Sequence, residues 1–438
     1  MKKKILASIL AATMVLGLTA CGAAEVTDAA NQAAEVVEDN ADAIADAANA
    51  VADAADFGTG EIKVWVADNV VDFTNAQIKS FMDANPQYAG YTVTVEPMGE
   101  GDAANGMLND VLAGADIYAF AQDQLARLVS AGALEVVNPD YEAEVKANND
   151  AGSVSAATVG GQLYAYPLTS DNGYFLYYDK SVVTDPSSLE KIVADCEAAG
   201  KNFYMEINSG WYQTAFFFGT GCDLSYETDD AGNFTKANVT YASDAGVVAL
   251  KKMIELNMSK AFQNGSSAGE ATNVGAIVDG TWDSGTIQEI FGDNYACAKL
   301  PTFEGADGKT YQMSGFGGFK LLGVKPQEDE LKLEVCDAIA NYLAGEEVQL
   351  ARYKEVGWGP SNLAAQGSDD VKADEALAAL GQQLAYTVPQ GQYPADYWTL
   401  ATGLGDSVRN GEISSASSDE DLLAVLQTFE DTCIGYAQ

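Results

Sequence analysis

The hydrophobic pattern after about residue 60 alternates between a strand period and a helix period. Residues 62–66 alternate apolar and polar positions as in a strand, and residues 70–85 carry apolar side chains at helical spacing. Strand patterns at 91–96 and 116–120 are each followed by a further helical pattern. Strands that alternate with helices of this length predict a largely parallel sheet flanked by helices, in the α/β class.

Polar and aromatic residues stand where these strands end. In open α/β sheets, ligands bind in the crevice beyond the carboxyl ends of the strands. The pattern therefore places Trp65, Asp68, Asn69, Phe120 and Asp123 at the edge of a cleft. Asp123 also stands where a helix N-cap is expected.

The stretch 161–180 contains two aromatic, strand-like runs separated by a polar break. Residues 163–166 and 174–178 form the runs, and residues 169–173 form the break. On this stretch alone, the pattern fits a hairpin or a strand that leaves one domain and enters another.

The second half of the folded region mixes helices, strands and irregular corners. Helical patterns cover 188–199 and 248–256, and a strand pattern covers 276–282. The acidic stretch 227–233 lacks the spacing of a calcium loop and predicts a hairpin turn. Residues 357–362 form an irregular corner where a second crossover is expected.

The N-terminus carries an export leader. A basic start and the apolar run 5–18, too short to span a bilayer, predict a signal peptide over residues 1–20. Residues 18–22 match a bacterial lipobox, so Cys21 is expected to be the lipidated first residue; an ordinary secretory signal is the alternative. Residues 21–60 are acidic, Ala-rich and without cations, and predict a tether that cannot form its own core.

Composition excludes several classes of function. The formal charge is −41 at pH 7, which disfavours binding of nucleic acid. The chain has no histidine, which excludes Ser-His and Cys-His catalysis and His-ligated zinc. Five scattered cysteines remain after Cys21, so at least one thiol stays free and no metal site or cofactor is expected.

The tryptophans mark candidate ligand contacts because each stands near the end of a predicted element. They are Trp65, Trp211, Trp282, Trp358 and Trp398. A sugar ring presents an apolar face to an aromatic platform and a polar rim to carboxylates or amides. A tryptophan of the core is the alternative for each one taken singly.

Several motifs resemble the extracellular sugar-binding lipoproteins that serve ABC transporters, in particular the maltose/maltodextrin-binding branch. They are G-x-L-Y-A-Y-P followed by an acid and L-x-Y-x-K within 161–180, Asp279-Gly280-Thr281-Trp282, Leu300-Pro301-Thr302-Phe303, Gly359-Pro360-Ser361-Asn362 and Tyr397-Trp398. The resemblance implies a two-lobed periplasmic-binding-protein fold with a hinge and a ligand cleft between the lobes. It implies that residues 61–169 and 316–365 form lobe I, and residues 170–315 and 366–438 form lobe II.

The resemblance also implies roles for individual residues. Asp171 stands where the family has a sugar-binding carboxylate, and Trp282 and Trp398 stand where it has stacking aromatics. Trp211 replaces a tyrosine, Asp123 matches an aspartate, and Trp65 falls on a tryptophan near the first cleft loop. This sequence departs from the family pattern at two places that bear on which sugar is bound. Phe120 stands where the family often has a tryptophan, and the loop 68–70 lacks the lysine of the best-known members.

The expected function is therefore that of an extracytoplasmic, lipid-anchored substrate-binding protein, not an enzyme. It captures an oligosaccharide, expected to be maltose or a maltodextrin, and delivers it to the permease of an ABC transporter while acting as a monomer. A surface glycan adhesin and a glycoside hydrolase are the alternatives, since the chain has carboxylates enough for the latter.

Overall fold

The strands follow the order expected from the hydrophobic pattern. A computed structural model describes residues 57–437; the leader, Cys21 and nearly all of the tether lie outside the described residues. The strands are β1 (Gly60–Val66), β2 (Tyr91–Pro97), β3 (Ile117–Ala121), β4 (Thr158–Val159), β5 (Gln162–Leu163), β6 (Ala165–Asp179), β7 (Asn202–Tyr204), β8 (Leu224–Thr228), β9 (Phe234–Val239), β10 (Phe262–Gln263), β11 (Val274–Gly280), β12 (Tyr295–Ala298), β13 (Thr302–Glu304), β14 (Thr310–Gln312), β15 (Phe316–Val324) and β16 (Val388–Pro389).

The helices lie between these strands and dominate the C-terminal part. They are α1 (Val71–Ala84), α2 (Ala103–Asn109), α3 (Leu125–Ser130), α4 (Pro139–Asn148), α5 (Ala151–Ala156), α6 (Leu189–Ala199), α7 (Thr214–Phe217), α8 (Asp244–Met258), α9 (Ser284–Phe291), α10 (Glu330–Leu343), α11 (Glu346–Val356), α12 (Leu363–Gln366), α13 (Asp369–Lys372), α14 (Glu375–Gln383), α15 (Ala395–Arg409) and α16 (Asp419–Gly435). Short 3-10 turns follow β1, β3 and β11 at 68–70, 122–124 and 281–283.

The principal sheet is mixed. Its strand order is β10-β7-β11-β6-β15-β3-β1-β2, with β12 also on β6 and β16 also on β15. Parallel pairing joins β1 to β2 and β3, and joins β7 to β10 and β11. Strands β6 and β15 pair with each other antiparallel, as they do with their other long neighbours β11 and β3. The α/β class is confirmed, and the antiparallel pairs are concentrated at the centre, where these two strands run in opposite directions.

Strand β6 settles the two interpretations of the stretch 161–180. Its first part, residues 165–173, pairs with β15, and its second part, residues 174–179, pairs with β11 and β12. The polar break is thus the middle of one continuous strand, and the hairpin interpretation is wrong.

Local sequence explains where the helices begin and what they bury. The side chain of Ser188 caps α6 by accepting a hydrogen bond from the amide of Lys191 over 3.3 Å. Leu189, Ile192 and Cys196 then fall on one face of this helix and are buried in a large hydrophobic core. That core also includes Phe216 and the other aromatic residues of 212–218, and it holds the surrounding loops in place.

One local prediction near the first strands is wrong, and one helix is shorter than its apolar spacing. Asp123 is not an N-cap, because residues 122–124 form a 3-10 turn that runs directly into α3. Helix α2 ends at Asn109, although the apolar spacing continues to Leu112, whose side chain is 90 % exposed. Because no other part of residues 57–437 packs on Leu112, apolar spacing alone does not stabilise a helix at this position.

All five cysteines of the described region are free thiols. Burial raises the pKa of Cys196 and of Cys297 to about 12 and that of Cys433 to about 11. The expectation of at least one free thiol holds, and these cysteines form no disulfide with one another.

Candidate functional site

A cavity of about 660 Å³ lies where the strand ends of both halves of the sheet converge. We call it the cleft cavity. It is lined by Ala67, Asp68, Asn69, Glu100, Gly101, Asp102, Ala121, Asp123, Gln124, Asn172, Trp211, Tyr212, Ser266, Ser267, Trp282, Asp283, Thr286, Lys320, Trp358, Gln390 and Trp398. Its volume suits a small ligand of a few rings.

The position of the cavity follows from the parallel strands. On one side it is bordered by the segments that follow β1, β2 and β3, at 67–69, 100–102 and 121–124. On the other side it is bordered by the segments that follow β10 and β11, at 266–267 and 282–286. The carboxyl ends of the parallel strands in both halves of the sheet therefore face one space, as expected for a ligand crevice in an α/β sheet.

The structure brings six of the nine predicted site residues together in this lining. They are Asp68, Asn69, Asp123, Trp211, Trp282 and Trp398. Trp65, Phe120 and Asp171 do not line the cavity. Trp65 is buried and its indole donates a hydrogen bond to Glu96 over 3.0 Å, and Phe120 is fully buried against Tyr118.

Asp171 lies at the middle of β6 with its carboxylate turned into the protein. It is 1 % exposed, and its Oδ2 accepts hydrogen bonds from the Thr281 hydroxyl and the Gly359 amide, both over 2.5 Å. A side chain on Gly359 would meet the Asp171 side chain at 2.9 Å, so the glycine permits this approach. The position gives Asp171 a joining role between three chain segments.

Two tryptophans form an aromatic wall of the cleft cavity. The ring centroids of Trp211 and Trp282 lie 5.7 Å apart, and the indole of Trp211 donates to Oε1 of Gln390 over 3.1 Å. The Trp282 ring lies directly over Gly280, where any added Cβ would meet it at 2.0 Å. Both rings are half-buried, which leaves surface for stacking on an apolar ligand face.

Trp398 and Asp123 meet at another part of the lining. Trp398 packs on Tyr393 and Tyr397, with ring centroids 5.4 and 4.8 Å away, and its indole hydrogen-bonds to the Asp123 carboxyl. Burial raises the pKa of Asp123 to about 7, although Arg127 and the Trp398 indole act in the opposite direction.

Trp358 and Lys320 also line the cavity. Trp358 is one of the five candidate tryptophans, and its place in the corner 357–362, beside the predicted crossover, is a further signal, although the family resemblance assigns it no role. Lys320 is a site residue that the sequence analysis missed. No feature of the sequence marks Lys320 as a site residue, because a single lysine within the apolar pattern of β15 is typical of a strand at the edge of a sheet. In the structure both are buried and line the cleft cavity.

The polar lining is dominated by acceptors. Five carboxylates line it, those of Asp68, Glu100, Asp102, Asp123 and Asp283, against the single ammonium of Lys320. Carboxylates accept hydrogen bonds from hydroxyls, and the amides of Asn69, Asn172 and Gln390 both donate and accept. Aromatic faces with such a rim suit a neutral, hydroxyl-rich ligand.

Residues 57–437 contain neither a cluster of metal ligands nor a helix that could span a membrane. No three His, Cys, Asp or Glu side chains of that region are grouped so as to hold a metal ion. In the same region, no helix has the length and apolar character needed to span a bilayer.

The fold and the cavity define a two-lobed binding protein with a ligand cleft between its lobes. Residues 76–379 match the family described as bacterial extracellular solute-binding protein. The chain belongs to that family. A search of curated protein sequences finds no match.

Solved structures show the same architecture. A protein solved with acarbose has a TM-score of 0.76 and 26 % identity, covering 87 % of this chain and 100 % of its own. The maltodextrin-binding protein MalE1 from L. casei BL23, solved without ligand, has a TM-score of 0.69 and 25 % identity, covering 86 % and 99 %. The maltose-maltodextrin binding protein of Alicyclobacillus acidocaldarius matches in fold, with a TM-score of 0.66 and 19 % identity, covering 84 % and 100 %.

Proposed function

We propose that this chain is the substrate-binding lipoprotein of an ABC transporter and captures a maltodextrin in the cleft cavity. Lipidated Cys21 holds it at the cell membrane, residues 21–60 act as a tether, and the loaded protein delivers its sugar to the permease. The lobes comprise residues 61–169 with 316–365 and residues 170–315 with 366–438. The similarity to a maltodextrin-binding protein and to a protein solved with acarbose supports this choice of ligand.

One observation carries the proposal: indole surface and carboxylates face the same cleft cavity. Trp211, Trp282 and Trp398 offer flat apolar surface, and Asp68 and Asp283 offer acceptors on opposite sides of the cavity. This pairing matches the two chemical surfaces of a pyranose ring. Of the nine predicted contacts, the six that line the cavity are proposed to touch the ligand.

A glycan panel tests the function. Melting temperatures are measured with maltotetraose and acarbose, and with cellotetraose as a linkage control of equal length. A ligand at about 100 times its Kd stabilises the folded state by ~2.7 kcal/mol, so the first two sugars should raise the melting temperature in a concentration-dependent manner. No shift with any α-linked glucan contradicts the proposal. Chromatography of the sugar after long incubation should recover it intact, whereas shortened products would indicate a hydrolase.

A further inference from the structure

Lys320 reaches the cleft cavity from the centre of the sheet. It lies on β15 between partners on β3 and β6, opposite Ala121 and Thr169. The pairing with β6 shifts register on both sides of Lys320. Such irregularities re-aim a side chain relative to a regular strand, and here the lysine side chain forms part of the lining.

The ammonium of Lys320 is surrounded by aromatic rings. Its Nζ lies 3.5 Å from the ring centroid of Trp358 and 5.3 Å from that of Trp282. The residue is only 4 % exposed. Cation–π attraction stabilises an ammonium at such positions, but the rings supply no oxygen or nitrogen acceptor for its three N–H donors.

Among residues 57–437, the Lys320 ammonium forms no hydrogen bond to a protein acceptor and no ion pair with a carboxylate, and its close contacts are the rings of Trp358 and Trp282. The other buried lysines of the described region differ in this respect. Lys252 pairs with Glu190 and Glu255, and Lys325 pairs with Asp116. The ammonium is not among the sealed polar atoms that lack a partner, so its donors are open to the cleft cavity and can bond to an acceptor that enters it.

We propose that Lys320 is a specificity-determining residue that donates hydrogen bonds to oxygen atoms of the sugar ring stacked on Trp282. This inference rests on the proposed function, since it assigns a role within the same site. Lys320 is the only cation in the lining of the cleft cavity. The five carboxylates of that lining can only accept hydrogen bonds from sugar hydroxyls. A ring oxygen or hydroxyl oxygen needs a donor, and a charged donor forms the stronger bond. Lys320 thereby fixes which ring edge faces the hinge.

Two substitutions of Lys320 test this role against a purely structural one. Lys320→Met keeps the length of the side chain and removes every donor, and Lys320→Gln keeps a neutral donor. Losing a hydrogen bond from a charged group should raise the Kd for maltotetraose about 10- to 100-fold for Lys320→Met, and less for Lys320→Gln. Because the ammonium lacks a partner in the empty protein, the ligand-free melting temperature should stay equal or rise.

Lys252→Met is the matched control, because it removes a buried lysine outside the cleft cavity that does have carboxylate partners. It should lower the ligand-free melting temperature and leave the Kd unchanged. If Lys320→Met behaves in the same way, Lys320 is structural and the inference is overturned. If the unaltered protein binds no maltodextrin, the proposed function fails and the inference fails with it; if it binds and Lys320→Met binds equally well, only the inference fails.

A series of monodeoxy maltosides then locates the bond. In the unaltered protein, removal of the contacted hydroxyl should weaken binding about 10-fold or more. In Lys320→Met, the same deletion should cost little, because the donor is already gone. Equal losses in both proteins at every hydroxyl would overturn the assignment.

Discussion

The backbone amide of Gly359 donates a hydrogen bond to the carboxylate of Asp171 over 2.5 Å. Asp171 lies in the middle of β6, and Gly359 lies in the corner that follows α11. The same carboxylate oxygen accepts from Thr281, directly after β11. One buried charge thus joins strand β6 to two segments that border the cleft cavity, since Trp358 and Trp282 are the neighbours of these donors.

Asp171→Asn should destabilise the empty protein. Asparagine keeps one acceptor oxygen but has an NH2 group in place of the second oxygen, and an unmade or weakened hydrogen bond at a buried site costs about 1–3 kcal/mol of the free energy of unfolding. Denaturant unfolding without ligand measures this cost. Thr281→Val, which removes one of the two donors, should show a smaller loss of the same sign. A weaker sugar affinity with unchanged unfolding would instead show that Asp171 contacts the ligand.

Trp282→Ala should weaken binding of maltotetraose by more than about 1 kcal/mol if the ring is a desolvated anchor. The physical reason is the loss of the half-buried platform that faces the cleft cavity. Trp65→Phe provides the comparison, because Trp65 is buried outside the cavity and bonds to Glu96. It should lower the melting temperature and leave the affinity unchanged. The assignment of Trp282 is wrong if its substitution alters stability alone.

The sequence predicts most of the strands and helices near the site, and it predicts the edge of the sheet at which the cleft cavity lies. Alternation in 62–66 and helical spacing in 70–85 are local properties, and the parallel-strand rule then places Asp68, Asn69 and Asp123 correctly at the strand ends. Trp65 precedes the end of β1 by one residue, which turns its side chain away from the cavity. A shift of one position on a strand reverses the face.

The hydrophobic pattern could not predict contacts between segments that are distant in the sequence. The orientation of Asp171 depends on donors that lie 110 and 188 residues away along the chain. Lys320 enters the cavity because the β6–β15 register shifts on both sides of it, and register irregularities leave no clear mark in a run such as 316–324. Both residues are set by tertiary pairing, whereas periodicity reports only local structure.

Cys21→Ser should release the protein from the membrane or leave it unprocessed. The lipobox at 18–22 predicts that a diacylglyceryl group is attached to this thiol through a thioether, and more than one acyl chain is needed for stable anchoring. Fractionation of cells, followed by mass determination of the N-terminus, measures the outcome. Ala20→Ser keeps Cys21 and serves as a control that should remain anchored. A correctly cleaved, membrane-bound Cys21→Ser protein would contradict the anchor.

Stability without ligand should fall as the pH rises from about 4 to about 8. Burial raises the pKa of Asp123 and of Glu206 to about 7 and that of Asp337 to about 6. In the unfolded chain these groups release their protons near pH 4, so the folded protein binds more protons across this window. Each such group therefore lowers the free energy of unfolding by at most about 1.4 kcal/mol per pH unit between its pKa in the unfolded chain and its pKa in the folded protein.

Carboxylates with lowered pKa values do not mask this trend. Asp195 and Asp307, whose pKa values are lowered to about 2 by hydrogen bonds from nearby lysines and hydroxyls, act with the opposite sign and below about pH 4. Melting temperatures between pH 4.5 and 8 measure the slope, and Glu206→Gln should make it shallower because glutamine does not ionise. Glu206 lies outside the lining of the cleft cavity, so this variant should keep its affinity for maltotetraose. An identical slope in the two proteins would show that Glu206 ionises normally in the folded state.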